Sequence, residues 1–241
     1  MSTLKIEFFH DVICSFCYPM SFRMRRIVSQ IPEIEVIHRS FALAQSPDDL
    51  ARMFGSHEGA KDIIMGHWEQ ANQNDTEHRF NIDGMKQESF LFPTSMQPLR
   101  AVKAAGMVGG EKEYWDVFDA LQKGLFTDNL NINDEAIIND LAKPFVTDYE
   151  RWQEIYQSQE SLNAVREDFK IGQNYGINSV PSLVIDGKYL INGAVPEDYL
   201  LKTLQDYIEE KKNKEGRLIN KNPENESGES CNFVDGKWEC D

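Results

Sequence analysis

The segment that most constrains this chain is Cys14-Ser15-Phe16-Cys17, two cysteines separated by two residues. It directly follows the apolar run of residues 4–9 and precedes residues 20–28, where apolar side chains recur at helical spacing. Two thiols three positions apart on the first turn of a helix can face each other. The positive end of the helix dipole favours a thiolate on the first of them. The pattern predicts a dithiol redox site, with structural or metal-binding thiols as the alternative.

The order of the two cysteines predicts their roles. Cys14 is expected to be exposed at the helix start and to act as the nucleophile, while Cys17, one turn deeper, resolves the mixed disulfide. Ser15 and Phe16 lie between them and are expected to tune the thiolate. His10, four residues before Cys14, either stabilises the thiolate and shuttles a proton or is a partly buried histidine bonded to the backbone.

The rest of the chain predicts a sheet interrupted by helices. Residues 34–41 alternate as a second strand, and residues 46–175 carry helical patterns but nothing typical of a strand. Strand character returns at residues 182–185, and Asp186-Gly187 is a hairpin turn signal before a strand at residues 188–191. A last amphipathic helix follows. The predicted order is therefore β-α-β, a helical insert, then β-β-α.

Two separated segments, residues 9–19 and residues 177–185 with Val180-Pro181, together resemble the DsbA family of thiol–disulfide oxidoreductases. More narrowly, they resemble its cytoplasmic FrnE-like branch of predicted dithiol–disulfide isomerases. The resemblance covers about residues 4–210 and implies an α/β, thioredoxin-like fold with a large all-helical insertion. The expected divisions are residues 1–45 and 172–211 as the thioredoxin-like domain, residues 46–171 as the helical insertion, and residues 212–241 as a polar C-terminal tail.

The resemblance also implies a substrate-binding loop. Pro181 is expected to be cis and to lie against the two cysteines, and Val180 before it would pair with the backbone of an extended peptide substrate. The strongly oxidising members of the family carry a histidine next to the second cysteine, where this chain has Phe16. That difference favours reductase or isomerase activity over net disulfide formation.

Charge and hydropathy limit the partners. The net charge of -15 argues against nucleic acid or an anionic membrane as the main partner. No window approaches the run of about 18 apolar residues that a spanning helix needs, and no export signal precedes Cys14, so a cytoplasmic location is expected. The expected partners are disulfide-containing proteins or small-molecule thiol substrates and a thiol reductant system. No metal or organic cofactor is predicted.

Two other classes share the expected fold. Kappa-type glutathione transferases and 2-hydroxychromene-2-carboxylate isomerases typically have a serine where this chain has Cys14, and they need no resolving thiol. A non-catalytic thioredoxin-like adaptor that holds a partner protein is the third reading. Turnover of a model disulfide such as insulin separates an enzyme from an adaptor.

The C-terminal residues 231–240 are symmetric about Asp235-Gly236. A type I′ turn there would form a hairpin in which Phe233 pairs with Trp238 and Cys231 faces Cys240. The pattern predicts a secondary redox pair, Cys231 and Cys240, on this hairpin. The alternative is an acidic tail without structure that carries two free thiols.

Overall fold

The computed structural model of the chain describes residues 3–215, 231–234 and 237–240. The described residues divide into two compact units, residues 3–202 and the described residues after Lys202. The predicted domain division stays a prediction. The predicted boundary between the helical insertion and the second part of the thioredoxin-like domain, at residues 171 and 172, lies inside helix α8 (Gln159–Tyr175).

The first unit contains a four-stranded mixed sheet with the strands in the order β2-β1-β3-β4. The strands are β1 (Leu4–His10), β2 (Ile34–Ser40), β3 (Ser182–Ile185) and β4 (Tyr189–Asn192). β1 runs parallel to β2 and antiparallel to β3, which in turn is antiparallel to β4. The predicted thioredoxin-like α/β order of elements is therefore confirmed.

Helices fill the chain between β2 and β3, as predicted. The helices of the described residues are α1 (Cys17–Gln30), α2 (Pro47–Phe54), α3 (His57–Asn74), α4 (Ile82–Gln87), α5 (Met96–Phe126), α6 (Glu135–Ala142), α7 (Tyr149–Gln157), α8 and α9 (Glu197–Glu215). The long α5 is kinked at Gly109 and Gly110, and the positive φ of 73° at Gly110 is a conformation that favours glycine.

The central strand β1 positions the cysteine segment. Six of its seven residues are buried, and the chain leaves its carboxyl end through His10 and Asp11 directly into the loop that holds Cys14. Helices α5 and α8 both contact β2, the strand next to β1. The loop that holds Cys14 therefore lies beside the helical insertion.

The C-terminal strands β5 (Cys231–Val234) and β6 (Lys237–Cys240) pair antiparallel. Their backbone register sets Cys231 opposite Cys240, in agreement with the predicted hairpin. The predicted turn at Asp235-Gly236 lies outside the described residues.

Candidate active site

The cysteine segment forms a tight turn that leads into α1. Cys17 is the first residue of the helix, and Cys14 lies before it, so the prediction that both thiols lie on the first helical turn was wrong. The backbone N–H of Cys17 donates to the carbonyl of Cys14 at 3.1 Å, and the N–H of Tyr18 donates to Ser15 at 3.3 Å. These bonds extend the helical winding backwards by one turn and hold the two cysteines at neighbouring positions.

The start of α1 has no side-chain cap. Phe16 occupies the N-cap position and accepts no hydrogen bond through its side chain, and the first turn contains no acidic residue. By contrast, the N-cap residues of α6, α7 and α8 are Asp134, Asp148 and Ser158, and their side chains accept backbone N–H groups. No acidic side chain of the first turn therefore competes with a negatively charged sulfur for the positive end of the α1 dipole.

Cys14 lies against the loop of the predicted substrate-binding proline. Its Sγ is 3.6 Å from the carbonyl oxygen of Val180, and the Val180–Pro181 peptide bond is cis, as predicted. Cys14 is only 4% exposed, so the expectation of an exposed thiol was wrong. The Val180 loop covers it from one side, and on the other side Cys14 lines a cavity together with Ser15 and Phe16.

Cys17 lies behind Cys14 and has no exposed surface. Burial raises the pKa of the Cys17 thiol well above its usual value, and the hydrogen bond and the charge of Cys14 raise the pKa further. The Cys17 thiol is therefore protonated at neutral pH. The roles of Cys14 as nucleophile and Cys17 as resolving thiol stay a prediction.

Asp11 is a buried carboxyl that ties three segments together at the cysteine loop. It accepts hydrogen bonds from the N–H of Leu43 at 2.7 Å, the hydroxyl of Ser95 at 2.6 Å and the N–H of Ile13 at 3.3 Å. Burial is the largest effect on this carboxyl and raises its pKa to about 6, although these hydrogen bonds oppose the rise. Ser95 stands at the N-cap of α5 and makes no side-chain cap there.

Gln122 of α5 holds the same loop from the side of the helical insertion. It is fully buried, and its Nε2 lies 3.3–3.4 Å from the carbonyl oxygens of Asp11, Val12 and Cys14. One amide therefore faces three backbone acceptors of the turn. We assign Gln122 as a positioning residue, because it acts on the backbone of the loop.

His10 is fully buried at the end of β1. Its Nε2 lies 3.2 Å from Nδ1 of His38, and its ring stacks on Phe8 and contacts Phe118. Burial lowers the pKa of His10 well below its usual value, and the nearby His38 and Lys103 lower it further. The ring is therefore neutral at pH 7. Its side-chain partners belong to the core, and the tuning role of His10 at Cys14 stays a prediction.

Sequence reasoning did not find Asp11, Ser95 or Gln122. Asp11 carries a weak local signal, because a charged residue interrupts the apolar run between Phe9 and Val12. The other two residues are 84 and 111 positions from Asp11, so no spacing rule connects them to the loop.

The described residues contain no group of three or more histidine, cysteine, aspartate or glutamate side chains that could hold a metal ion. None of their helices is long and apolar enough to cross a membrane.

The sequence matches the family model of the DSBA-like thioredoxin domain over residues 5–205. The chain therefore belongs to the DSBA-like thioredoxin domain family, which agrees with the resemblance of its two motifs. No curated protein sequence matches the chain.

Solved structures show the same fold. A putative protein disulfide isomerase from Nitrosomonas europaea is 19% identical with a TM-score of 0.69, over 86% of this chain and 98% of that one. The cytosolic disulfide reductase DsbM from Pseudomonas aeruginosa, also solved with GSH, is 16% identical with a TM-score of 0.68, over 85% and 98%. A 2-hydroxychromene-2-carboxylate isomerase is 11% identical with a TM-score of 0.60, over 88% and 100%. At these identities the likeness concerns the fold alone.

Proposed function

We propose that this protein is a cytoplasmic thiol–disulfide oxidoreductase that works as a reductase or isomerase, with Cys14 as the nucleophile and Cys17 as the resolving thiol. The observation that carries the proposal is the asymmetry of the two thiols. Cys14 lines a cavity beside the Val180 carbonyl, whereas Cys17 is fully buried and its pKa is raised. A pair in which one sulfur meets the substrate and the other waits behind it is what two-step exchange needs.

The reaction needs no bound cofactor, because the two thiols supply both electrons. The Cys14 thiolate attacks one sulfur of a substrate disulfide, forms a mixed disulfide, and releases the other sulfur as a thiolate, which takes up a proton. Cys17 then loses its proton and attacks Cys14, which releases the second substrate thiol. The substrate disulfide is reduced by two electrons, the Cys14–Cys17 pair is oxidised by two, and a thiol reductant system restores the pair.

Val180 and Pro181 are proposed to hold the substrate during the first step. Backbone groups of this loop would pair with an extended peptide, and the Val180 carbonyl already lies next to the attacking sulfur. The proposed substrates are disulfide-containing proteins or small molecules. The net charge of -15 supports partners other than nucleic acid or an anionic membrane.

The hairpin cysteines are proposed as a secondary redox pair. The backbone register sets Cys231 opposite Cys240, which is the arrangement that a cross-strand disulfide needs. In this proposal the pair exchanges electrons with the Cys14–Cys17 site.

The experiment is a trapping assay with insulin as the disulfide substrate. Reduced Cys17→Ser, in a background that also carries Cys231→Ser and Cys240→Ser, should accumulate a mixed disulfide visible as the added mass of one insulin molecule by intact mass. The matched Cys14→Ser variant in the same background should trap nothing. Equal trapping by both variants, or none by Cys17→Ser, would contradict the proposed roles.

A further inference from the structure

The last residue of β4, Asn192, contacts both flanks of the Val180-Pro181 loop between α8 and β3. In the sheet it lies opposite Ser182, the residue after Pro181. Its side-chain oxygen Oδ1 is 3.1 Å from the hydroxyl oxygen of Ser182 and 3.1 Å from that of Ser179, the residue before Val180. One exposed side chain on an edge strand of the sheet therefore holds the loop from both ends.

The backbone next to Asn192 adds a third contact with this loop. The N–H of Gly193 donates a hydrogen bond to the carbonyl of Pro181 at 2.8 Å. The end of β4 therefore holds the chain on both sides of Val180. The carbonyl oxygen of Val180 itself faces Sγ of Cys14 at 3.6 Å, so the contacts at the end of β4 fix the backbone that carries this carbonyl beside the sulfur.

Asn192 reaches the site through the loop and not through the cavity. Among the described residues that line the cavity beside Cys14, Val180 is present and Asn192 is not. The partly buried side chain of Val180 packs against a small apolar cluster formed by Phe9, Ile177 and Val184. Packing therefore holds the side chain of Val180, while the hydrogen bonds at the end of β4 hold the backbone on either side of it.

We propose that Asn192 is a positioning residue for thiol–disulfide exchange: it holds the backbone of Val180 in the place where a peptide substrate pairs with it beside Cys14. A loop that is held before the substrate arrives does not have to be ordered during binding, and the reacting sulfur atoms meet in a fixed geometry. This inference rests on the proposed function and names a residue that sets the geometry of that same site.

The test compares two disulfides that share one leaving group. The tetrapeptide Ala-Cys-Ala-Ala, blocked at both ends, and 2-mercaptoethanol are each joined through sulfur to 2-thiopyridone. The peptide has backbone groups that can pair with the loop, and mercaptoethanol has none. Release of 2-thiopyridone by the reduced full-length protein is followed by absorbance. Each rate is corrected with the Cys14→Ser variant as a blank and divided by the rate of the same disulfide with dithiothreitol, because intrinsic reactivity differs between the disulfides.

We expect Asn192→Ala to lower the rate for the peptide about fivefold, the size of about one net hydrogen bond, and to leave the rate for mercaptoethanol within about twofold. Only the peptide uses the backbone that this substitution releases. The variant keeps the bond from the N–H of Gly193 to the carbonyl of Pro181, so we expect it to fold. Asn163→Ala is the matched control and should change neither rate, since Asn163 is exposed on α8 and its side chain bonds Gln159 of the same helix.

A second variant, Ser179→Ala, removes the other partner of one of these contacts. By itself it should also lower the rate for the peptide and leave the rate for mercaptoethanol within about twofold. Combined with Asn192→Ala it should lower the rate for the peptide no further than Asn192→Ala does, because the shared contact is already lost. If Asn192→Ala does not fold, Ser179→Ala decides the question by itself, since it changes only a partly exposed hydroxyl of the loop.

The outcomes separate the two claims. If neither disulfide reacts with the unchanged protein above the Cys14→Ser blank, the proposed function itself fails. If both disulfides react but Asn192→Ala slows them equally, or slows neither, the protein is an oxidoreductase and the positioning role of Asn192 is overturned. If the effects of Asn192→Ala and Ser179→Ala on the peptide multiply in the double variant, Asn192 does not act through Ser179 and the inference is overturned as well.

Discussion

Replacing Asp11 by Asn should change how the stability of this protein depends on pH. Asp11 is fully buried, and its pKa rises from the usual 3.8 to about 6 because burial disfavours the charged form. A raised pKa in the folded state means that the folded protein holds the proton more tightly than the unfolded chain. The stabilisation from the Asp11 carboxyl is fully present below its pKa in the unfolded chain. It is lost as the pH rises through the pKa of this carboxyl in the folded protein.

The magnitude follows from the two pKa values. A rise from 3.8 to about 6 at about 1.36 kcal/mol per pKa unit amounts to roughly 3 kcal/mol over the whole titration. About 2.5 kcal/mol of this loss should develop between about pH 4 and about pH 7.5. Asn cannot ionise, so Asp11→Asn escapes this loss. Its amide also loses acceptor capacity toward Leu43, Ser95 and Ile13, which is a cost that does not vary with pH.

The assay is urea unfolding of both proteins across this pH range, with all thiols kept reduced. The informative quantity is the difference in free energy of unfolding between Asp11→Asn and the unchanged protein. The other titrating groups are common to both and cancel in the difference. The difference in free energy of unfolding should increase in favour of Asp11→Asn by about 2.5 kcal/mol from about pH 4 to about pH 7.5.

A flat difference across the range would show that Asp11 titrates alike in the folded and unfolded states. A difference that moves in the opposite direction would show that the hydrogen bonds of the carboxylate outweigh its burial. Either result would refute the reasoning.

Three further predictions concern the same site and the hairpin. Gln122→Met should reduce stability by about 1–3 kcal/mol, because three buried carbonyls lose a donor, and insulin turnover should fall with it; unchanged turnover would remove its positioning role. Iodoacetamide at neutral pH should label Cys14 before Cys17, whose thiol is buried and has a raised pKa; peptide mapping that finds Cys17 labelled first would reverse the assignment. Mass spectrometry of the air-oxidised protein should find a Cys231–Cys240 linkage, and graded reduction should open it at a different potential from Cys14–Cys17; two free hairpin thiols would contradict the secondary pair.

Local patterns predicted the strands and their connections well. β3 occupies residues 182–185 as expected, and the Asp186-Gly187 turn has the positive φ values of 47° and 67° that its sequence favours. These elements are set by alternation and turn residues over a few positions, so a single sequence contains the information.

Helix α3 (His57–Asn74) lies in the predicted helical insertion, but no separate helix was predicted over its residues. It buries Ala60, Ile64, Met65, Trp68 and Ala71, and nearly all of the remaining positions carry charged residues, polar residues or glycine. With this composition, the recurrence of apolar residues at helical spacing is weak in the sequence. The available signal was Ser56, which caps α3 by accepting the N–H of Gly59.

The chemistry of the site was predicted from two motifs, but its surroundings were not. The cysteine pair and Val180-Pro181 can be recognised in the sequence from their residue types. Gln122 reaches the cysteine loop from a helix more than a hundred residues away, and the cavity exists only because α2 and α3 pack beside Cys14. Exposure was misjudged for the same reason, since the neighbours that cover Cys14 come from distant parts of the chain.

The most direct test of the central claim is the reduction potential of the Cys14–Cys17 pair. The protein is equilibrated in redox buffers of graded potential, quenched with an alkylating agent, and the state of each cysteine is read by peptide mapping. We predict a single two-electron transition of this pair on the reducing side, close to the value of about -270 mV of thioredoxin. A value near about -120 mV would indicate a net oxidase, and the absence of any joint transition of Cys14 and Cys17 would contradict the dithiol mechanism itself.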